Sequence, residues 1–387
     1  MGRVWAHQHV PPTGTLIKET LTLIRTSNAA IVEYNVDFAL EQLPRMRRPN
    51  GLYSYDWAYG GNGPRGESVR YSLMVLLGLQ RAASAGRTDL PDEPEALWKV
   101  CLSHQDTFTP GDTGLAIWAD TRRGGRETPA LLGKLERQLP DDATLAPLAG
   151  MEIGWLILGL SEAVAAGAGA ETLLRRVVAH LRGRRSPSGL YYHDAGSRVR
   201  RRLPNFATEI YSLMALAALA RHGLDADARA EAEVLARHIV RLQLPDGGWP
   251  WLFDADKATV VERYEIYSVH QDAMAPMGLL ALSDVTGDGQ WRHAALAGLA
   301  WSRGQNELGV DLFDDASGFA HRSIRRKAPW DRIALWTASA TAQLAGRPVE
   351  LSAGGVEVNA TCRPYHLGWI LEAWAGRDGA TGMWADR

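Results

Sequence analysis

The chain has 387 residues, 46% hydrophobic and 22% charged, a balance that excludes a fibrous or disordered protein. Its 42 Lys and Arg face 44 Asp and Glu, so the overall field gives no reason to expect a nucleic-acid or membrane-surface partner. The two cysteines, Cys101 and Cys362, are too few for a disulfide framework and suit a reducing compartment.

In chain order, the opening MGRVWAHQHVPPTGTLIKETL lacks the apolar stretch of a signal peptide. No later run reaches the ~20 apolar residues of a membrane span. The expectation is a cytoplasmic protein. After a first helix over 15–25, one pattern recurs. A helix with a polar face leads to a turn ending in glycine and a large apolar residue, then a short β-prone connection, then a helix apolar almost all round. The turns fall at Gly51 (PNGLYSY), Gly114 (DTGLAIW), Gly189 (PSGLYYH), Gly248 (DGGWPWL), Gly318 (ASGFAHR) and, more weakly, Gly355 (AGGVEVN). The first five lie 59 to 75 residues apart, room for two helices and two connections.

The polar-faced helices are predicted over 28–43, 95–104, 171–184, 228–243 and 290–304. The apolar ones are predicted over 68–79, 151–164, 208–220, 270–282, 332–345 and 365–375. A helix polar on one face suits an outer ring, and one apolar throughout must be buried. The sequence therefore predicts an all-α (α/α)6 barrel: a six-hairpin toroid, one domain over 1–387, with short β-hairpins on one rim. A helical solenoid is the weaker alternative, because terminal capping repeats are not evident. The sixth repeat lacks an outer helix of its own, and the N-terminal arm, 1–27, is expected to supply the closing one.

All six connections then share one rim, with the starts of the inner helices as the floor beneath it. Polar and aromatic groups concentrate there: Glu67 and Arg70, then Glu209 and Tyr211, then Tyr264, Glu265, Tyr267, His270, Gln271 and Asp272, and last Arg363, Tyr365 and His366. The turns and connections add Tyr191, His193, Trp249 and Trp251. Burying so many ionisable and phenolic groups is costly without a ligand to meet them, which marks the cavity as the candidate site. Glu265, His270 and Asp272 are the acid–base candidates, with Glu209 and Tyr211 beside them. Ser268 with Gln271 also reads as a capping box. Two basic runs, one with Arg198, Arg200, Arg201 and Arg202 and one from Arg322 to Lys327, lie on the rim. Arg200 and Arg202 are expected to turn inward and hold an anionic substrate. His7 with His9, or His366 with Cys362, lacks the further ligands of a metal site. No phosphate-cradling loop or nucleophile elbow is present, so no metal or cofactor is expected.

The repeat, with QLPDGGWPW followed by an IYSL-type inner helix, resembles the (α/α)6-toroid enzymes, above all their carbohydrate-active members: glycoside hydrolases, polysaccharide lyases and uronyl C5-epimerases. The resemblance implies acid–base chemistry on a bound oligosaccharide or polysaccharide intermediate by Glu209, Tyr211, Glu265 and His270. It makes Trp249 and Trp251 stacking platforms. A second likeness rests on Gln243, Gly247 and Trp249, which fit the QxxxGxW pattern of squalene–hopene-type cyclases. The DxDD acid of those enzymes has no match, since Asp254-Ala-Asp256-Lys257 breaks it and Asp311-Leu-Phe-Asp314-Asp315 is one residue too long. A terpene cyclase and a non-catalytic glycan-binding toroid therefore stay open beside the carbohydrate enzyme.

Overall fold

Helix starts in this chain are written in capping residues and prolines, and they set the architecture. The computed structural model describes residues 27–193, 201–327, 337, 341 and 355–385. Helix α1 (Asn28–Gln42) opens on Ser27, whose hydroxyl accepts from the Ala30 N–H at 3.2 Å. It is followed by α2 (Val69–Ser84), capped by Ser68, and by α3 (Pro94–Ser103). Next come α4 (Pro110–Thr121), α5 (Thr128–Gln138), α6 (Gly150–Ala165) and α7 (Glu171–Gly183). Then follow α8 (Phe206–Arg221), capped by Asn205, and α9 (Ala228–Arg241). A π-helical turn over His270–Met274 runs into α10 (Ala275–Thr286). The last elements are α11 (Gly289–Ala297), α12 (Leu299–Ser302) and α13 (Pro364–Trp374).

Six of these form an inner ring. Helix α2 packs on α4, α4 on α6, α6 on α8 and α8 on α10, while α13 joins the π turn and α10 to α2 and closes the circle. The others lie outside it, each against an inner helix, with α7 and α9 most clearly split into a buried apolar stripe and a charged face. The chain is an (α/α)6 toroid, as the sequence predicts. No described helix is long and apolar enough to cross a membrane.

The ring is cut differently from the expectation in one place. Gly114 is not a turn: it lies inside α4, an inner helix, and α5 is a further outer one. The signals for that helix are Pro110 at its first turn and a reciprocal capping box between Thr109 and Asp112. The interval between the predicted turns at Gly51 and Gly189 therefore holds three repeats, where two are predicted. With α4 in place, the described inner helices close without the one expected over 332–345, most of which lies outside the described residues. The N-terminal helix expected over 15–25 also lies outside them. Among the described residues the outer place beside α13 belongs to α1.

The other turns hold. Gly51, Gly189, Gly247, Gly318 and Gly355 all have positive φ, between 70° and 100°, so in the fourth turn the left-handed residue is Gly247 and not its neighbour Gly248. The rim carries short strands: β1 (Trp57–Ala58), β2 (Leu252–Asp254), β3 (Thr259–Glu262), β4 (Ile266–Tyr267), β5 (Phe313–Asp314), β6 (Phe319–Ala320), β7 (Ser323–Arg326), β8 (Val356–Asn359) and β9 (Thr361–Cys362). Local hairpins are only part of it. Strands β2 and β3 pair as predicted, and so do β5 and β6, but β4–β7–β8 form a sheet across repeats and β1 pairs with β9 across the whole chain. These long-range ladders tie α2, the π turn and α13 together at one mouth.

Candidate functional site

Three groups near the inner-helix starts are spent on holding the turns. Tyr53, two residues after Gly51, gives its N–H to the Ser72 hydroxyl at 2.8 Å. Tyr191, two after Gly189, gives its N–H to both oxygens of Glu209 at 3.1 Å. Trp249, two after Gly247, gives its N–H to Gln271 Oε1 at 2.7 Å. Three repeats use three residue types for one structural task, a buried acceptor on the inner helix for the strand leaving the turn. Glu209 and Gln271 are thus braces, fully buried behind the ring. Gln271 also donates to Tyr267 O at 2.9 Å, and Ser268 donates to the carbonyls of His321 and Arg322, so the predicted capping box does not form.

Burial pushes the Glu209 carboxyl well above its ordinary range, with only the Tyr191 N–H in opposition. A raised carboxyl stabilises the fold below the unfolded value and loses that contribution as pH rises through the folded one. Glu209→Gln keeps the acceptor and removes the titration. It is expected to gain stability over the wild type progressively above about pH 5, with no gain near pH 4 where the unfolded carboxyl is itself protonated. Urea unfolding across pH 4–8 reads this, and a variant that stays parallel to wild type would refute the raised carboxyl.

The groups that do meet enclose a cavity of about 200 Å³ at the N-terminal ends of the inner helices. Arg70 and Tyr71 come from α2, Met151 and Trp155 from α6, Asn205 and Tyr211 from α8 and its cap, and Trp251 from the strand entering β2. Tyr267, His270 and Met274 come from β4 and the π turn, Arg322 from the lead into β7, and Tyr365 from α13. The walls are aromatic. Trp251 lies parallel to the His270 ring at 6.1 Å and tilted on Tyr267 at 4.9 Å, while Trp155 meets Tyr211 edge-on at 5.4 Å.

Against those walls stand few charges. Arg70 is fixed by Asp112 at 2.6 Å and Thr109 at 2.9 Å and lies over the Trp155 ring. Arg322 sits over the Tyr267 ring at 4.9 Å and reaches its hydroxyl at 3.5 Å, and its buried Nε has no partner among the described residues. His270 is held at about 3 by burial first, then by the charge of Arg322 and the neighbouring His366, so it is neutral at pH 7 with an unpartnered Nδ1. Burial raises Tyr211 above the usual phenol range, and Tyr267 is pushed up to about 12 by burial and by Glu265, so both keep their protons. Tyr211 accepts from Trp369 Nε1 at 2.7 Å. No carboxylate is among the described residues lining the cavity.

Of the residues predicted for the site, Arg70, Tyr211, Trp251, Tyr267, His270 and Tyr365 come together on it. Glu265 stands behind Tyr267, accepting from its hydroxyl at 3.2 Å, from Asn359 at 2.7 Å and from Ser323. Asp272 and His366 pair at 2.8 Å in the interior between the π turn and α13, with Asp272 Oδ2 left unpartnered. Arg363 sits at the mouth on the Tyr71 hydroxyl at 2.6 Å.

The rest are elsewhere. Trp249 is core, tilted against Phe206 and bonded to Ile239 O, so of the two expected platforms only Trp251 lines the cavity. Tyr191 is core, and Tyr264 belongs to a separate apolar cluster beside the buried Arg326–Glu262 pair. Glu67 is exposed on Asn50, and His193 bonds Thr208 at 2.5 Å. Arg202 turns outward to Asp256, correcting the inward aim expected of it; Arg198 and Arg200 lie outside the described residues. Asp254 and Asp256 sit at the β2–β3 turn, away from the cavity.

Arg322 is the main cavity-lining residue that the sequence reading does not place there. It stood out only as part of a basic run, and the strand register that aims it inward has no periodic signature. Asp112, which fixes Arg70, was hidden with α4.

No protein-family model matches the chain, and no curated protein matches it in sequence. Solved structures do match. The unsaturated glucuronyl hydrolase of Bacillus sp. GL1, named as responsible for glycosaminoglycan degradation, is 13% identical with a TM-score of 0.60 over 92% of this chain and 100% of its own. A sugar epimerase from a ruminal bacterium is 12% identical, TM-score 0.57, over 92% and 98%. The cellobiose 2-epimerase of Spirochaeta thermophila is 13% identical, TM-score 0.56, over 94% and 98%. In fold, then, the chain is an (α/α)6 toroid similar to those of carbohydrate-active hydrolases and epimerases.

Proposed function

We propose that the chain is a carbohydrate-active enzyme that moves a proton on an acidic saccharide, as an epimerase or a lyase does. One observation carries the reading: Arg322 and the neutral His270 share an aromatic cavity whose described lining contains no carboxylate. Hydrolysis of a glycosidic bond ordinarily needs a pair of carboxyl groups facing each other across that bond. Proton abstraction beside a sugar carboxylate needs something else: a cation on the carboxylate, a neutral base, and an acid on the far side.

Arg322 supplies the cation: its Nε has no partner among the described residues and its Nη2 makes only the long bond to Tyr267, so a carboxylate that displaces that bond gains a forked pair. Trp251 offers a ring face to the apolar side of a sugar. His270 is the base. Its weakness stems first from burial and then from Arg322, and an anion on that guanidinium offsets the repulsion and strengthens the imidazole where it is needed. Tyr365, whose phenol burial raises, is the proton donor, while Tyr267 packs against His270 at 5.1 Å on the side of the base. The fold neighbours named for an epimerase and a glucuronyl hydrolase support a saccharide ligand.

The test is incubation with uronate-containing oligosaccharides in deuterated water, followed by NMR and mass spectrometry. The wild type is expected to place deuterium on the carbon beside the carboxylate or to give an unsaturated product, and His270→Gln to slow this at least ~100-fold. Bond hydrolysis without either change, or full exchange in His270→Gln, would discard the mechanism.

A further inference from the structure

The aromatic lining does not stop at the mouth of the cavity. Tyr365 is 4.7 Å from Tyr71, and Tyr71 stacks on Tyr55 at 5.4 Å with the rings 15° from parallel. Tyr55 is 46% exposed despite that contact. Two and four residues on come Trp57 and Tyr59, the latter 56% exposed, and both touch Phe319. The i, i+2, i+4 spacing sets side chains ~7 Å apart along an extended segment. The segment is held in place by β1 pairing with β9 and by the Tyr59 N–H on Ala360 O at 2.8 Å.

Cations accompany the rings. Arg363 lies 4.5 Å over Tyr55 with its buried Nε unpartnered, and Arg45 lies 4.9 Å over Trp57. Among the described residues the exposed aromatic rings are Tyr55, Tyr59 and Trp384, and the first two continue the wall of the cavity.

We infer that residues 55–59 form an outer subsite for the continuation of an acidic oligosaccharide whose terminal unit occupies the cavity. The inference rests on the saccharide reading above and adds the ligand's length and direction. One unit sits in the cavity, a second against Tyr55 and Arg363, and a third against Tyr59. Separate ring platforms joined by guanidinium groups fit a chain of flat sugar faces bearing carboxylates better than a continuous apolar protein surface. The extended ligand enters over β1, between the mouths of α2 and α13.

Calorimetric titration of the full chain with uronate saccharides of one to five units tests this, using wild type, Tyr59→Ala and Tyr55→Ala. Affinity is expected to rise at least ~10-fold from one unit to three. Tyr59→Ala should cut the trisaccharide-to-monosaccharide affinity ratio by about 3- to 10-fold, and Tyr55→Ala the disaccharide ratio likewise. Tyr59 is a surface residue, so the folded state is not at issue. A wild type that binds every length equally would overturn the subsite and leave the cavity reading intact. Ratios unchanged in both variants would do the same, as would a concentration-dependent dimer lost in Tyr59→Ala with saccharide affinity preserved. Failure of the wild type to bind any length would remove the saccharide reading, and the subsite with it.

Discussion

Arg322→Ala is expected to weaken binding of a uronate-containing saccharide roughly 30- to 1,000-fold, about 2–4 kcal/mol, while the thermal transition stays near that of wild type. The separation of the two effects follows from how the residue is held. Its backbone does the structural work: its N–H donates to Asn359 O at 3.2 Å and its carbonyl accepts from Ser268. Its side chain makes one long contact, to the Tyr267 hydroxyl, and leaves Nε unpaired. Arg326, four residues along the same strand, is the opposite case, with both Glu262 oxygens on its guanidinium in a wholly buried pair. Under the proposed function that unfilled edge is where a ligand carboxylate pairs, so the loss is expected in binding and not in folding. Arg322→Lys keeps the charge but not the fork and should fall between the two. Calorimetry against an acidic and a neutral saccharide decides the matter. Equal losses for both would mean that Arg322 reads shape and not charge, and no loss would transfer the anion to Arg70.

The ring was legible in the sequence because it is built from repetition. Alternating polar-faced and wholly apolar helices, several pairs of them hinged on a left-handed glycine, need no knowledge of contacts between repeats. The reading failed at Gly114 for a physical reason: a glycine is called for both by a positive-φ turn and by two helices in close approach, and composition alone does not separate the two demands. Thr109, Pro110 and Asp112 held the answer as a capping box. In the site, the aromatic and imidazole lining was visible because Tyr211, His270 and Tyr365 sit at helix starts. Glu209 was not distinguishable from a catalytic acid, since its task as a brace shows only when Ser72, Glu209 and Gln271 are compared in space. Arg322 depended on pairing between β4, β7 and β8, strands distant in the chain for which the sequence carries no register.

The same glycines give the largest effect expected on the fold. A Cβ added at Gly159 would lie 2.1 Å from the Gly114 carbonyl oxygen, 3.0 Å from its carbon and 3.3 Å from its Cα. All three are backbone atoms of the facing helix, so no side chain can turn away and α4 and α6 must part. Alanine's better helix propensity returns up to ~1 kcal/mol, whereas forcing packed backbones apart costs about 1–3 kcal/mol and sometimes more. Gly159→Ala is therefore expected to lose a net ~2 kcal/mol in urea unfolding, despite the gain in propensity. It should also weaken saccharide binding, because Trp155, one turn earlier on α6, lines the cavity and moves with the helix. Gly133 is the internal contrast, lying on outer helix α5 with nothing nearer to a new Cβ than the flexible end of Arg137 at 3.6 Å. There the identical substitution should stabilise by roughly 0.5–1 kcal/mol. Opposite signs for one chemical change at two helical glycines would show that the inner ring is spaced by missing side chains. If both variants were stabilised, the close approach of α4 and α6 would not be what Gly159 is there to permit.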